Sequence, residues 1–482
     1  VANQPTLKEK TAKGILWGGV SSGTVQVMSM LFGLYLSRTL AVEDYGLVAM
    51  LAIFTAIANT VITSGFTVAL TNKREATHED FNAVFWFTTF VSLIVYVILF
   101  FSAPLIARFF GHPELIPIGR VLFLSFVFGG VASVSHTVLF KQLLVKIQAR
   151  IDIISVLISG IVGVLMAYFG MGYWALVIQT VLYVAVNSII KLIIAPWHPT
   201  LQINLSPLRN MFSFSIKLFL TNAFIQINRH VFSVILGKMF GEYQSGLYAQ
   251  GQKWMDMATN TLTGMINAVA HPVLVQVRDE KERLLNVFRK MLRFAAFVSF
   301  PAMFGLAFVA NEFILITIGE KWLPSVPILQ TLCILGTLYP IWHLYTYVLI
   351  THGKSNLFLI GNVIHGLLLI AALLITARWG IYWMVVAYVG TYFISFLYWH
   401  YYAHRLIGIS VWQLLKDVMP YLGITLLVLF ATYIITLPLQ NIYLLLIGRI
   451  GIAVILYIVI MKLTNSVIFR ESMDFLLKKK RK

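Results

Sequence analysis

Apolar runs of about 20 residues alternate with short polar breaks from near residue 14 to near residue 462. A helix rising 1.5 Å per residue crosses the hydrocarbon core of a bilayer in about that length. Fourteen membrane helices are predicted, near 14–37, 45–70, 81–107, 115–140, 151–169, 172–194, 211–237, 243–270, 286–311, 325–350, 356–377, 380–403, 418–437 and 441–462. The longest breaks, Pro196 to Arg209 and Arg278 to Arg293, leave no room for a folded soluble domain. Lys8, Lys10 and Lys13 precede an apolar run from Gly14 to Leu36, the order found in a signal peptide. That run is too long and lacks a small-residue cleavage site, so it reads as a retained first helix.

Composition fits only this class. Hydrophobic residues make up 59% of the chain and charged residues 11%, against roughly 45–50% and 25% in soluble domains. The net charge of +18 acquires a meaning once it is placed along the chain: 26 of the 36 Lys and Arg residues fall on the side of the termini, and five in the opposite loops. By the positive-inside rule both termini are cytoplasmic. The ending Lys478-Lys479-Lys480-Arg481-Lys482 then faces the anionic inner leaflet. Membrane lipids, not nucleic acid, are the partner of these charges. Cys333, the single cysteine, cannot form an intrachain disulfide.

A repeat appears at an offset of about 200 residues, the kind of signal that marks duplicated transporter folds. Gly46-Leu47-x-Ala49 aligns with Gly246-Leu247-x-Ala249, and Gly170-x-x-Tyr173-Trp174 matches Gly380-x-Tyr382-Trp383 with one residue deleted. The predicted organisation is an N-terminal lobe of six helices (1–195), a second six-helix lobe (196–405), two added helices (406–465) and a basic cytoplasmic tail (466–482). The repeated glycines are expected at a close backbone approach, and the Tyr-Trp pairs at the outer interface.

Charges inside the spans carry the chemistry. A Lys, Arg or Asp at a helix centre costs roughly 2.5–3.5 kcal/mol and normally faces a bundle interior or a watery cavity. Lys217, Arg229, Lys253 and Asp256 occupy the seventh and eighth spans, three cations to one anion. Asn222, Gln226, Arg229 and Ser233 share one face of the seventh; Lys253, Asp256, Asn260, Thr263 and Asn267 form a stripe on the eighth. Gln26 and Asn59 are polar positions on the first two spans. Arg229 lies roughly 7 Å beyond its helix middle, Lys253 roughly 4 Å before its own, and Lys217 roughly 10 Å short of the middle. Given opposite helix directions, Arg229 and Lys253 sit in the outer half of the membrane and Lys217 nearer the cytoplasm, a ladder suited to an anionic ligand. Arg120 reads as a snorkelling side chain, Arg449 as a partner of a carbonyl or a lipid phosphate, and His136, His343 and His365 as packing groups. No metal-ligand spacing, nucleophile or phosphate loop stands out.

The segments LSRTLAVEDYGLVAM (Leu36 to Met50) and GLYAQGQKW (Gly246 to Trp254), with the fourteen-span layout, resemble polysaccharide exporters of the Wzx type within the multidrug/oligosaccharidyl-lipid/polysaccharide (MOP) exporter superfamily. The resemblance implies an all-α MATE-like fold with a central cavity lined by helices one, two, seven and eight. It also implies a transporter, not an enzyme, in a bacterial inner membrane. The implied substrate is a polyprenyl-pyrophosphate-linked oligosaccharide, bound through Arg229, Lys253 and Lys217 and flipped outward for lipopolysaccharide or O-antigen assembly. No cofactor is implied beyond a coupling ion, H⁺ or Na⁺, for which Asp256 is the candidate; polysaccharide polymerase or export machinery are further partners. Two related alternatives stay open. A cation-coupled multidrug exporter would use membrane carboxylates, yet the cores of helices one to four have none. Lipid II flippases carry an arginine within helix one, where this chain has none before Arg38.

Overall fold

The computed structural model describes residues 7–471 apart from positions 64 and 74; within its helices, the side chains of residues 7–22, 210, 267–269, 271, 272 and 355 also lie outside the description. The basic ending Lys478–Lys482 and the side chain of Asn267 are therefore among the undescribed residues. All described secondary structure is helical.

Two compact units divide the chain, residues 1–246 and 247–482. The first begins with α1 (Leu7–Thr39), followed by the sharply turned α2 (Val42–Met50), α3 (Ala52–Thr63) and α4 (Phe66–Asn72). Then come α5 (His78–Phe110), α6 (Leu115–Leu122), α7 (Leu124–Lys141), α8 (Val145–Tyr168) and α9 (Trp174–Ile194). The next element, α10 (Leu208–Gln276), consists of two helices that meet at a kink at Gly241 (φ 76°, ψ −171°). The second unit continues with α11 (Lys281–Phe308), α12 (Ala310–Thr317), α13 (Val326–Thr351), α14 (Ser355–Thr376), α15 (Ile381–Ile407), α16 (Val411–Thr436) and α17 (Ile442–Leu463).

By length and apolarity, eleven described helices suffice to cross a membrane, or twelve if α1 and α2, bent by 118°, count as one span. The sequence predicts fourteen. The difference falls on α10, whose two parts, 208–240 and 242–276, are long enough but carry the intramembrane charges and their polar neighbours. The stretch Arg278 to Arg293, expected as a loop, is helical from Lys281. Its Arg289 makes a two-pronged contact with Asp417 of α16, at 2.6 and 3.1 Å, the geometry a planar guanidinium favours.

Helix ends follow local chemistry. Thr77 caps α5, accepting from the Asp80 amide while the Asp80 carboxylate accepts from the Thr77 amide, and Ser410 with Gln413 does the same for α16. These reciprocal bonds satisfy amides that have no partner within the helix. The first core of unit one gathers Met50, Leu51, Phe110, Ile118, Phe123 and Phe126; that of unit two gathers Phe288, Leu292, Leu344, Tyr345 and Trp399. Outward faces stay apolar, with Phe101, Leu105 and Ile193 exposed in the first unit and Leu397, Phe430 and Ile447 in the second. That is the arrangement of a protein whose solvent there is lipid.

The duplicated glycines meet across one contact within the first unit. A Cβ on Gly46 would stand 1.8 Å from the Glu242 carbonyl oxygen, and one on Gly246 would stand 2.1 Å from that of Val42. Positions 42 and 46 thus oppose 242 and 246, equivalent residues of the repeat packed backbone to backbone. Beside them the imidazole of His112 lies 3.0 Å from the Glu242 carboxylate. At the other motif, Gly170 and Gly380 both adopt positive φ (73° and 91°), and Tyr382 and Trp383 are exposed.

Candidate functional site

Each unit presents its own share of the expected site. On the 208–240 part of α10, Lys217 and Arg229 are both exposed, Asn222 and Gln226 half-buried, and Asn228 and Ser233 buried. Twelve residues separate the two cations, which places them about 120° apart around the axis. Arg229 therefore shares its face with Asn222 and Gln226, and Lys217 does not. Gln26 on α1 and Asn59 on α3 are exposed.

In the second unit the stripe begins with Lys253, half-buried, its ammonium 5.9 Å from the ring centre of Trp254. Trp254 is itself buried and meets Phe313 edge-on at 4.9 Å. Asp256 is half-buried and Asn260 exposed. Thr263, further along, is buried, so of the described members of this stripe Asn260 is the one exposed.

A cavity of about 440 Å³ opens within the first unit between α3–α4, α7 and α9. Asn59, Thr63, Thr67 and Thr71 line one wall; Ser133 and His136 lie on the second, and Tyr183, Asn187 and Lys191 on the third. Behind it, Asn187 donates to the Asp152 carboxylate at 2.8 Å, with the Lys191 ammonium 4.0 Å from the same oxygen. Of this pocket's residues, the sequence singles out Asn59 as a polar position and His136 as a packing group; the four-residue spacings 63–67–71 and 187–191 are the further signal it carries.

Other intramembrane polar groups find structural partners. Arg449 of α17 donates from Nη1 to Glu312 of α12 at 2.7 Å and lies over the Phe308 ring at 4.7 Å. The expectation of a carbonyl or lipid phosphate for Arg449 is corrected by this ion pair. Arg120 stacks on Phe100, its guanidinium carbon 4.3 Å from the ring centre. His365 bonds Ser395 at 2.6 Å and packs against Tyr392.

A multi-span helical bundle that carries cations within its spans defines a class, the polytopic membrane proteins. The chain superposes on the lipid II flippase MurJ in an inward closed conformation with a TM-score of 0.74 and 15% identity, covering 95% of this chain and all of that one. On an inward-facing multidrug resistance MATE family transporter of the MOP superfamily the values are 0.63 and 15%, covering 80% and 96%. At such identities the likeness is one of fold.

Residues 35–327 match the family described as polysaccharide biosynthesis protein, and the chain belongs to that family. Among its relatives, the teichuronic acid biosynthesis protein TuaB of Bacillus subtilis is 24% identical over 78% of this chain and 80% of its own length. The lipopolysaccharide biosynthesis protein WzxC of Escherichia coli is likewise 24% identical, over 77% and 76%.

Proposed function

We propose that the protein is a flippase that carries a polyprenyl-pyrophosphate-linked oligosaccharide from the cytoplasmic to the outer leaflet of a bacterial inner membrane. The chemistry of such a cargo is demanding: a charged diphosphate and a hydrated glycan must cross a layer that accepts neither. The observation that carries the reading is the excess of cations within the spans of a chain belonging to a polysaccharide biosynthesis family. Arg229, Lys253 and Lys217 are proposed as successive ligands of the pyrophosphate, Asp256 as the site of coupling to H⁺ or Na⁺. Alternating access delivers the glycan to a polymerase or export machinery outside, and both termini stay in the cytoplasm.

The same fold serves MurJ and MATE transporters, so two competing cargoes are peptidoglycan lipid II and cationic drugs. An excess of positive charge repels cationic drugs. Disruption of the gene in its own host discriminates among the three. The flippase reading expects loss of surface polysaccharide and accumulation of its lipid-linked repeat, with growth and drug sensitivity unchanged. Normal polysaccharide with raised sensitivity to cationic drugs, or with arrested cell-wall growth, would reject it.

A further inference from the structure

The cavity in the first unit has a hydrogen-bonding character distinct from the intramembrane cations. Thr63, Thr67 and Thr71 recur every four residues, so their hydroxyls form one row. Each donates to the carbonyl four residues earlier, at 2.7–2.8 Å within the row: Thr63 to Asn59, Thr67 to Thr63 and Thr71 to Thr67. Their hydrogens are thus committed, and the oxygens present lone pairs as acceptors. Thr137 of α7 is committed in the same way, to the Ser133 carbonyl, while the Ser133 hydroxyl is shared between the Gly130 carbonyl at 2.8 Å and the Thr88 hydroxyl at 2.9 Å. Donors stand around these rows: the Lys191 ammonium on the opposite wall and the exposed Asn59 amide at the end away from Thr71. The Asn187 amide nitrogen instead donates to Asp152 and Ser155 and leaves its carbonyl oxygen as a further acceptor. Phe140 and Tyr183 add ring faces.

Charge selects among ligands. Lys191 is the one lysine of the wall, and Asp152 stands 4.0 Å from it, so an anion entering here meets a carboxylate as well as an ammonium. An isoprenoid tail would match Ile62, Ala132 and Val184, which also line the cavity. It would, however, strip the water from the Asn59 amide and the Lys191 ammonium without replacing it, at a cost of roughly 1–3 kcal/mol for an unsatisfied neutral group and more for a charge. A sugar has neither difficulty. Its hydroxyls donate to a row of acceptors, its ring and glycosidic oxygens accept from amide and ammonium, and its C–H faces lie against aromatic rings. The volume of about 440 Å³ falls in the range of small-ligand pockets. The cavity also reaches the last turns of three helices, at Thr71, Phe140 and Lys191, all leading into loops that the charge distribution makes cytoplasmic.

We propose that this cavity, between α3–α4, α7 and α9, is a saccharide-binding site that receives sugar residues of the lipid-linked cargo from the cytoplasm. It rests on the flippase reading, and it separates recognition of the glycan from recognition of the pyrophosphate. Cargo selectivity would then reside in the hydroxyl row and Asn187, and affinity for the common headgroup in the cations.

The test uses the full chain with Cys333→Ala and a reporter cysteine at a half-buried lining position outside the hydroxyl row, Val68→Cys, purified in detergent and labelled with a maleimide. Three probes compete: the host's own oligosaccharide repeat freed of pyrophosphate and lipid, inorganic pyrophosphate, and polyprenyl phosphate. The glycan is expected to slow labelling, and the two other probes to leave it unchanged. Adding Tyr183→Leu should raise the glycan concentration for half-protection about tenfold, equivalent to ~1.4 kcal/mol, without altering labelling in its absence. Protection by pyrophosphate or polyprenyl phosphate alone, or no protection by the glycan, overturns the saccharide site. The same Val68→Cys protein, reconstituted in vesicles, is assayed for flipping. Flipping without glycan protection rejects the pocket and keeps the flippase. Protection without flipping keeps the pocket and rejects the transport reading.

Discussion

Arg449 and Glu312 form an ion pair with side chains only 14% and 8% exposed, and neither residue faces the pocket of the first unit. Their role is to hold α17 against α12. Removing one member of a buried pair leaves an uncompensated charge and costs about 3–5 kcal/mol, whereas replacing both by apolar groups is often neutral. Arg449→Met should therefore lower the unfolding temperature markedly in detergent, and the Arg449→Met, Glu312→Met double variant should recover most of it; equal loss in both would show that the pair is not the cause. Arg229 is the contrasting case, exposed on a face with Asn222 and Gln226. A guanidinium can bind a phosphate through two parallel hydrogen bonds and an ammonium cannot. Arg229→Ala should abolish export at normal protein level and Arg229→Lys should restore part of it. Full export by a well-expressed Arg229→Ala protein would remove it from the mechanism. In the same assay Asp256→Asn should abolish any dependence on an imposed pH or sodium gradient, and persistence of that dependence would place coupling elsewhere. Single intramembrane charges are legible in a sequence because their cost makes them rare. Their partners are not: 137 positions separate Glu312 from Arg449, and no local pattern joins them.

At the scale of elements, periodicity located nearly every helix, since apolar runs bounded by charges mark both ends of a span. It failed where polarity is itself periodic. Thr63, Thr67, Asn187 and Lys191 all fall within the predicted spans 45–70 and 172–194, yet nothing in their spacing says that together with Thr71 they line one cavity of the first unit. Another element invisible to pattern is the connection after α9. There Asn82 donates to the Gln202 carbonyl at 2.6 Å and accepts from the Thr200 amide at 2.9 Å, pinning the connection to the start of α5. The glycine repeat was legible because no other residue fits. Gly46→Ala would drive a methyl group into the Glu242 carbonyl, and overpacking of this kind costs about 1–3 kcal/mol or more. Gly46→Ala and Gly246→Ala should each lower thermal stability. Because both relieve strain by parting the same backbones, their effects should combine to less than the sum. Gly264→Ala, whose added Cβ meets nothing within 4 Å, serves as the control. A Gly46→Ala protein as stable as that control would contradict the close approach.

For the molecule as a whole, the asymmetry of Lys and Arg in the loops underlies a proposed orientation that can be measured. In a chain with Cys333 replaced, cysteines at Gly111 and Gly172 should react with an impermeant reagent in intact cells. Those at His78 and Asp279 should react only after permeabilisation, and labelling of His78 from outside would invert the proposed direction of transport. Fold class and family are both carried by long-range regularities, the spacing of spans and the 200-residue repeat, which is why they were legible without any site being so. The central claim, movement of a lipid-linked oligosaccharide, is tested most directly in vesicles containing the purified protein and a fluorescent polyprenyl-pyrophosphate oligosaccharide in both leaflets. An impermeant glycosidase outside reports the accessible fraction. Vesicles with the wild-type protein should expose nearly all of the glycan over time, while protein-free vesicles and those with Arg229→Ala stop at the outer-leaflet half. An accessible fraction that stays at that half with the wild-type protein would contradict the account.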